Sequence, residues 1–133
     1  MTNRIRLLVV DDEARVRRGL LMRLALEPDV EVVGEAGDGE SALYLARELR
    51  PDLVVIDLLL PGMDGLQAIG LLRAAVPASS VLAFSIRDDM TTRRAAAAAG
   101  AVAFVAKQEG PDRLLAVIRA TAQRPPRDGT TTE

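Results

Sequence analysis

The chain has 133 residues, of which 49% are hydrophobic and 27% charged, and its formal net charge is −2. It contains no cysteine and no histidine, which excludes disulfides, thiolate zinc sites, thiol nucleophiles and serine–histidine triads. Oxygen is therefore the ligand type expected for any metal. The charge balance gives no reason to expect direct binding of nucleic acid. The first apolar run is too short for a signal peptide or a membrane span, so we predict a cytoplasmic protein without a membrane partner.

Five short, near-continuous apolar runs rich in β-branched residues predict buried strands. The runs cover residues 5–10, 30–35, 53–56, 81–84 and 102–105. Helical patterns follow them, starting at about residues 12, 40, 65, 88 and 111. In the first helix, Val16, Leu20 and Leu24 form one apolar stripe. Asp38 and Asp64 are expected to cap the second and third helices, and Pro111 suits the first turn of the last helix.

Strand and helix thus alternate five times along the chain. Continuous apolar strands are typical of a parallel sheet that is covered by helices on both faces. The pattern predicts an α/β fold with a doubly wound, five-stranded parallel sheet and five helices. Residues 1–123 form the predicted domain, and the polar segment 124–133 is expected to be a tail or the start of a linker.

Polar residues follow four of the predicted strands. They are Asp11 and Asp12 after the first, Asp57 after the third, Ser85 after the fourth and Lys107 after the fifth. Parallel α/β sheets bind ligands at the carboxyl ends of their strands, so these side chains should meet at one edge.

Three clustered carboxylates repel one another unless a cation lies between them. Mg²⁺, or Mn²⁺ as an alternative, is the metal that this set of ligands favours. Asp57 can then act as the nucleophile in phosphoryl transfer, with Lys107 and Ser85 stabilising the phosphoryl oxygens.

Each residue also has a simpler interpretation. Asp11 or Asp12 could cap the following helix, Ser85 could be a turn residue, and Lys107 could be a solvated surface lysine. Phe104, on the fifth strand, could serve core packing alone. The joint placement at four strand ends is what favours a common site.

The sequence resembles the receiver domains of two-component response regulators over residues 5–123. The resemblance is carried by residues 8–13 (LVVDDE), 55–65 (VIDLLLPGMDG), 84–85 (FS), 100–101 (GA) and 104–107 (FVAK). It implies the flavodoxin-like receiver fold with strand order 2-1-3-4-5.

The resemblance also implies roles for individual residues. Asp57 matches the phosphoacceptor, Ser85 the switch hydroxyl, Lys107 the phosphate-binding lysine and Phe104 the aromatic switch residue. In the metal site, Asp12 matches the direct Mg²⁺ ligand, Asp11 the acid that acts through water and Leu59 the residue that contributes its backbone carbonyl.

The implied partner is a sensor histidine kinase that donates the phosphoryl group from a phosphohistidine. Phosphorylation is then expected to change the face formed by the fourth helix, fifth strand and fifth helix. Through this face it is expected to control an output, which is expected to be transcription. An output domain outside this chain and a phosphorylation-dependent homodimer are further implied partners. The alternative is a stand-alone receiver that acts through protein interaction or a phosphorelay. In neither case is the chain an enzyme beyond its own phosphoryl transfer and dephosphorylation.

The residue after Lys107 departs from the common family pattern. Gln108 stands where the family usually has a proline in a cis peptide. A cis bond before a non-proline residue costs about 2.5–4 kcal/mol, so we expect a trans bond or an adjusted loop. Together with the Phe-Ser-Ile sequence at residues 84–86, this variant is most similar to the subfamily with a helix-turn-helix output domain.

Three other classes compete with this interpretation. Haloacid-dehalogenase-like phosphatases need a second aspartate two residues after the nucleophile, where this chain has Leu59. A flavodoxin-like nucleotide or flavin module would need glycines or hydroxyls in its first loop, whereas Asp11, Asp12 and Glu13 would repel phosphate. A degenerate receiver would be expected to lack an acid or the lysine.

Overall fold

The computed structural model describes residues 4–123 and contains one five-stranded parallel sheet. Its strands are β1 (Ile5–Val10), β2 (Val30–Ala36), β3 (Leu53–Ile56), β4 (Ser80–Ser85) and β5 (Ala103–Ala106). They are hydrogen-bonded in the order β2-β1-β3-β4-β5. The predicted doubly wound α/β fold and its strand order are therefore confirmed.

Five α-helices connect and follow the strands. They are α1 (Ala14–Leu24), α2 (Gly39–Leu49), α3 (Gly65–Ala75), α4 (Met90–Ala99) and α5 (Pro111–Ala122). A single 3-10 turn, Lys107–Glu109, lies between β5 and α5. The predicted caps are confirmed, since Asp38 accepts a hydrogen bond from the Ser41 amide and Asp64 accepts one from the Leu66 amide.

The sheet separates two apolar layers because successive side chains of a strand point to opposite faces. In β1, Leu8 and Val10 pack towards α2, α3 and α4. Their neighbours Leu7 and Val9 pack towards α1 and α5. This double burial explains why the central strands are near-continuous apolar runs instead of alternating apolar and polar residues.

Two helix starts differ from the prediction. Helix α1 begins at Ala14 instead of residue 12. The Asp11 carboxylate accepts a hydrogen bond from the Glu13 amide at 3.0 Å, which forms a turn before the helix. Helix α4 begins at Met90 instead of residue 88, because Asp89 caps it by accepting a hydrogen bond from the Thr92 amide. Of the predicted apolar stripe of α1, Leu20 and Leu24 are buried, whereas Val16 is 37% exposed and lines a cleft.

Within residues 4–123, no helix combines the length and the apolar character that crossing a bilayer requires. The predicted tail, residues 124–133, lies outside the described residues.

An ion-pair network joins the end of α1 to α5. Arg119 of α5 contacts Asp29 at 2.8 Å and Glu27 at 2.7 Å, and Arg23 of α1 contacts Glu27 at 2.7 Å and Asp112 at 2.8 Å. Hydrogen bonds from Arg23 and Arg119 lower the pKa of Glu27, and a hydrogen bond from Arg119 lowers the pKa of Asp29. The network thus links two elements that lie far apart in the sequence.

Arg119→Ala is expected to lower the melting temperature at pH 7 but to have little effect at strongly acidic pH. Carboxylates whose folded pKa is depressed stabilise the protein above their ordinary pKa of about 4 and lose that contribution as the pH falls through the folded value. Thermal melts from pH 7 down to acid pH would measure the difference. Arg94→Ala, which removes an exposed arginine of α4, is the control; an equal effect of Arg119→Ala at both ends of the range would contradict the role of the network.

Candidate functional site

The strand register places the predicted site residues at one edge of the sheet. Val10 and Ile56, the last residues of β1 and β3, are register partners, so Asp11 and Asp57 follow neighbouring strands at the same level. Ser85 of β4 is the partner of Ala106 of β5, which places Lys107 one residue beyond Ser85.

Three carboxylates form a cluster at this edge. Asp11, Asp12 and Asp57 each offer an oxygen atom, and these atoms all lie within 4.8 Å of one another. Asp11 and Asp57 are only 2% and 5% exposed, whereas Asp12 is exposed to solvent. A set of hard oxygen donors with one solvent-facing member fits Mg²⁺, which retains several waters when proteins bind it.

Lys107 connects the two buried acids. Its Nζ atom donates hydrogen bonds to Asp11 Oδ2 at 2.6 Å and to Asp57 Oδ2 at 2.9 Å. Burial lowers the pKa of Lys107, but the bonds to Asp11 and Asp57 outweigh that effect and leave the pKa raised above its usual value. The ammonium is therefore charged at neutral pH and partly balances the two carboxylates.

The buried surroundings of Asp57 are unfavourable for a charged carboxylate. Burial raises its pKa above the usual value, against the opposing hydrogen bonds from Lys107 and from the Leu59 amide. The Leu59 amide donates to Asp57 Oδ1 at 3.1 Å, so each oxygen of this carboxylate has a partner. Perturbed carboxylates of this kind, beside a charged partner in a cleft, are typical of functional sites.

Ser85 is fully buried at the end of β4. Its Oγ accepts a hydrogen bond from the Arg87 amide at 3.1 Å. Because a hydroxyl has one proton to donate as well, Ser85 can still donate to an oxygen in the site.

The loop after Asp57 is closed by backbone contacts. The Gly65 amide donates to the Leu58 carbonyl at 3.2 Å, and a Cβ atom at Gly65 would lie 2.5 Å from that same oxygen. Only glycine fits this position without displacing the loop. The side chain of Leu59 points outward and is 44% exposed, while the role of its carbonyl as a metal ligand stays a prediction.

An open cleft of about 580 Å³ gives access to these groups. Its lining residues are Asp12, Glu13, Val16, Asp57, Leu59, Ile86, Lys107 and Gln108. The acidic residues and the lysine lie on the cleft walls together with the apolar side chains. Asp57 therefore faces solvent through this cleft.

Phe104 lies outside this cleft, on β5. Its ring is partly buried and packs against the core layer under α2, α3 and α4. The guanidinium of Arg93, on α4, lies over the ring at 4.7 Å from its centroid, within the range of a cation–π contact. In α4 only Ala96 is fully buried, so the helix beside Phe104 buries little apolar surface. The switch role of Phe104 stays a prediction.

The peptide bond between Lys107 and Gln108 is trans, as expected from the absence of proline. The residues that follow Lys107 make contacts that the sequence did not indicate. Glu109 accepts a hydrogen bond from the Ala106 amide at 2.9 Å, and Gln108 reaches the loop after Ser85. Arg17 of α1, likewise unpredicted, donates to the backbone carbonyl of Asp11. No local pattern could have revealed the contacts of Gln108 and Arg17, because their partners are set by the fold.

The family model for the response regulator receiver domain matches residues 7–119. The chain is 38% identical over 116 residues to the nitrate/nitrite response regulator protein NarP of Escherichia coli, covering 87% of this chain and 54% of that protein. It is 37% identical over 125 residues to the transcriptional regulatory protein LiaR of Bacillus subtilis, and the match covers 92% of this chain and 58% of that protein. The chain thus spans about half the length of these relatives.

Solved structures agree with this match. The signal receiver domain of the putative response regulator NarL from Mycobacterium tuberculosis superposes with a TM-score of 0.86 at 32% identity, covering 91% of this chain and 98% of that one. The response regulator domain of Thermotoga maritima CheB superposes with a TM-score of 0.87 at 31% identity, and the match covers 93% of this chain and 100% of that one. The chain belongs to the receiver-domain family of two-component response regulators.

Proposed function

We propose that the chain is a phosphorylation-dependent signalling switch that accepts a phosphoryl group on Asp57 from a sensor histidine kinase. The observation that carries the proposal is the position of Asp57. Its buried carboxylate lies 2.9 Å from the Lys107 ammonium, within the cluster of three acids and on the wall of an open cleft.

In the proposed reaction an oxygen of the ionised Asp57 carboxylate attacks the phosphorus atom. A new bond forms between that oxygen and phosphorus, and the phosphorus–nitrogen bond of the donor phosphohistidine breaks. The electron pair stays on the imidazole nitrogen, which takes up a proton. The product on this chain is an acyl phosphate.

The surrounding residues stabilise charge on the transferred group. Lys107 can donate to a phosphoryl oxygen from its position between Asp11 and Asp57, and Ser85 can donate its hydroxyl proton. Asp11, Asp12, Asp57 and the carbonyl of Leu59 would hold Mg²⁺, or Mn²⁺ in its place, which when bound offsets the negative charge of the phosphoryl oxygens.

The output of the switch is proposed to lie beyond this domain. We place the receiver at residues 1–123, with 124–133 as the start of a linker to an output domain outside the chain. The relative LiaR is a transcriptional regulatory protein, and the proposed output is likewise transcription. Phosphorylation would act through Phe104 and the face formed by α4, β5 and α5, with a phosphorylation-dependent homodimer as the readout. We place the protein in the cytoplasm, and its own chemistry is limited to gaining and losing the phosphoryl group.

Incubation with acetyl phosphate and Mg²⁺ tests the proposal directly. Intact-mass analysis is expected to show the gain of one phosphoryl group, which a chelator prevents. Borohydride reduction followed by peptide mapping should place the modification on Asp57. A mass gain that survives chelation, or one that maps to another residue, would contradict the proposal.

A further inference from the structure

Gln108 makes a contact across the mouth of the site. Its side-chain Nε2 lies 3.4 Å from the Ile86 carbonyl and 3.3 Å from Asp88 Oδ2. Gln108 belongs to the turn that carries Lys107, whereas Ile86 and Asp88 belong to the loop that follows Ser85. One amide group thus connects the loops that carry two of the groups expected to contact the phosphoryl oxygens.

The loop that receives this contact has few other attachments. Residues 86–90 are all exposed. Arg93 of α4 donates a hydrogen bond to the backbone carbonyl of Asp88 at 3.0 Å, whereas the Asp88 carboxylate accepts its hydrogen bond from Gln108. The same loop contains the Arg87 amide that donates to Ser85 Oγ. Any movement of this loop therefore changes the hydrogen bond that orients the Ser85 hydroxyl.

We infer that Gln108 is a positioning residue for phosphoryl transfer: by tying the loop at residues 86–88 to the Lys107 turn, it keeps the Ser85 hydroxyl oriented for the incoming group. The inference rests on the proposed function. In the part of the chain that the structure describes, Gln108 forms no hydrogen bond with Asp11, Asp12 or Asp57, so its expected effect is on the geometry of Ser85 and not on the metal cluster.

The prediction is tested with four variants and a control. Gln108→Ala removes both hydrogen bonds, and the isosteric Gln108→Glu removes the donor and places a carboxylate beside Asp88. Asp88→Asn alone keeps an oxygen that can accept from Gln108. In the double variant Gln108→Glu/Asp88→Asn the roles are exchanged, because the new amide can donate to the new carboxylate. Gln67→Ala, which shortens an exposed glutamine on α3, is the control.

The rate of phosphorylation by saturating acetyl phosphate is expected to fall about threefold to tenfold in Gln108→Ala, the effect of losing weak hydrogen bonds. Gln108→Glu should be at least as slow, Asp88→Asn and Gln67→Ala close to the parent, and the double variant about threefold or more faster than Gln108→Glu. The Mg²⁺ concentration at half-maximal rate should stay unchanged in all five. Hydrogen exchange at the amides of residues 86–88 should be faster in Gln108→Ala before any donor is added.

Several outcomes would overturn the inference. A Gln108→Ala protein within twofold of the parent rate, or a double variant no faster than Gln108→Glu, would show that the contact does not position Ser85. Unchanged exchange at residues 86–88 would show that it does not hold the loop. If these results occur while the parent is phosphorylated on Asp57, only the inference fails. If the parent accepts no phosphoryl group, the proposed function fails and the inference with it.

Discussion

Asp57→Asn is expected to abolish phosphorylation and, at the same time, to raise the melting temperature of the protein. The loss of labelling follows because a neutral amide cannot supply the attacking oxygen. The gain in stability follows because burial raises the pKa of Asp57, so the folded state disfavours the charged form that dominates at neutral pH. Asparagine keeps the shape of the side chain and removes the buried charge.

The pH dependence of this stabilisation has a definite sign. A carboxyl group whose folded pKa is raised contributes fully to stability below its ordinary pKa of about 4, and loses that contribution as the pH rises through the folded value. The melting temperature of Asp57→Asn should therefore exceed that of the parent at pH 7, and the difference should shrink towards acid pH. Glu48→Gln, which neutralises an exposed carboxylate of α2, is the control. A lower melting temperature for Asp57→Asn at pH 7 would disprove this account of the buried charge.

Lys107→Ala is expected to have the opposite effect on stability. The Lys107 Nζ atom lies 2.6 Å from Asp11 Oδ2 and 2.9 Å from Asp57 Oδ2, and both carboxylates are buried. Without it, two like charges face each other with no cation between them. Removing one partner of a buried ion pair typically costs 3–5 kcal/mol, so a decrease of about 3 kcal/mol in the free energy of unfolding is expected. Phosphorylation should slow by about tenfold or more, since a charge-assisted contact to the phosphoryl oxygens is lost.

Chemical denaturation with and without Mg²⁺ measures this prediction. Because a divalent cation can replace the missing positive charge, Mg²⁺ should stabilise Lys107→Ala more than it stabilises the parent. Arg113→Ala is the matched control: it removes a cation that is 59% exposed and pairs with Glu109 at 3.4 Å, and exposed pairs of this kind contribute little. Equal stabilisation of Lys107→Ala and the parent by Mg²⁺ would argue against a shared electrostatic cluster.

The sequence was sufficient to predict the sheet and the edge where the site lies, for a physical reason. Strands that are buried on both faces are largely apolar, so a polar residue such as Asp57 marks the point where the strand ends. Helical periodicity indicates that Val16 shares a stripe with Leu20 and Leu24, but not how far along the helix the core extends.

The finer contacts of the site depend on distances that no local pattern contains. The sequence predicted that Gln108 would follow a trans bond, yet gave no reason to expect its amide near Asp88, 20 residues away. The cation–π contact between Arg93 and Phe104 could not be predicted either, since it depends on how α4 lies beside β5. Side-chain contacts between loops form only after the sheet has set the loop positions, and so they have to be observed.

The closed loop between Leu58 and Gly65 has a consequence for how this domain can vary over evolutionary time. Its span is set by a backbone hydrogen bond and by the absence of a side chain at Gly65, not by the side chains between them. The outward-facing residue Leu59 can therefore be exchanged for polar or charged residues while its carbonyl oxygen stays in place. Insertions and deletions, in contrast, would displace that oxygen relative to Asp57. Related chains should therefore differ freely in the side chains of this loop while they keep its length.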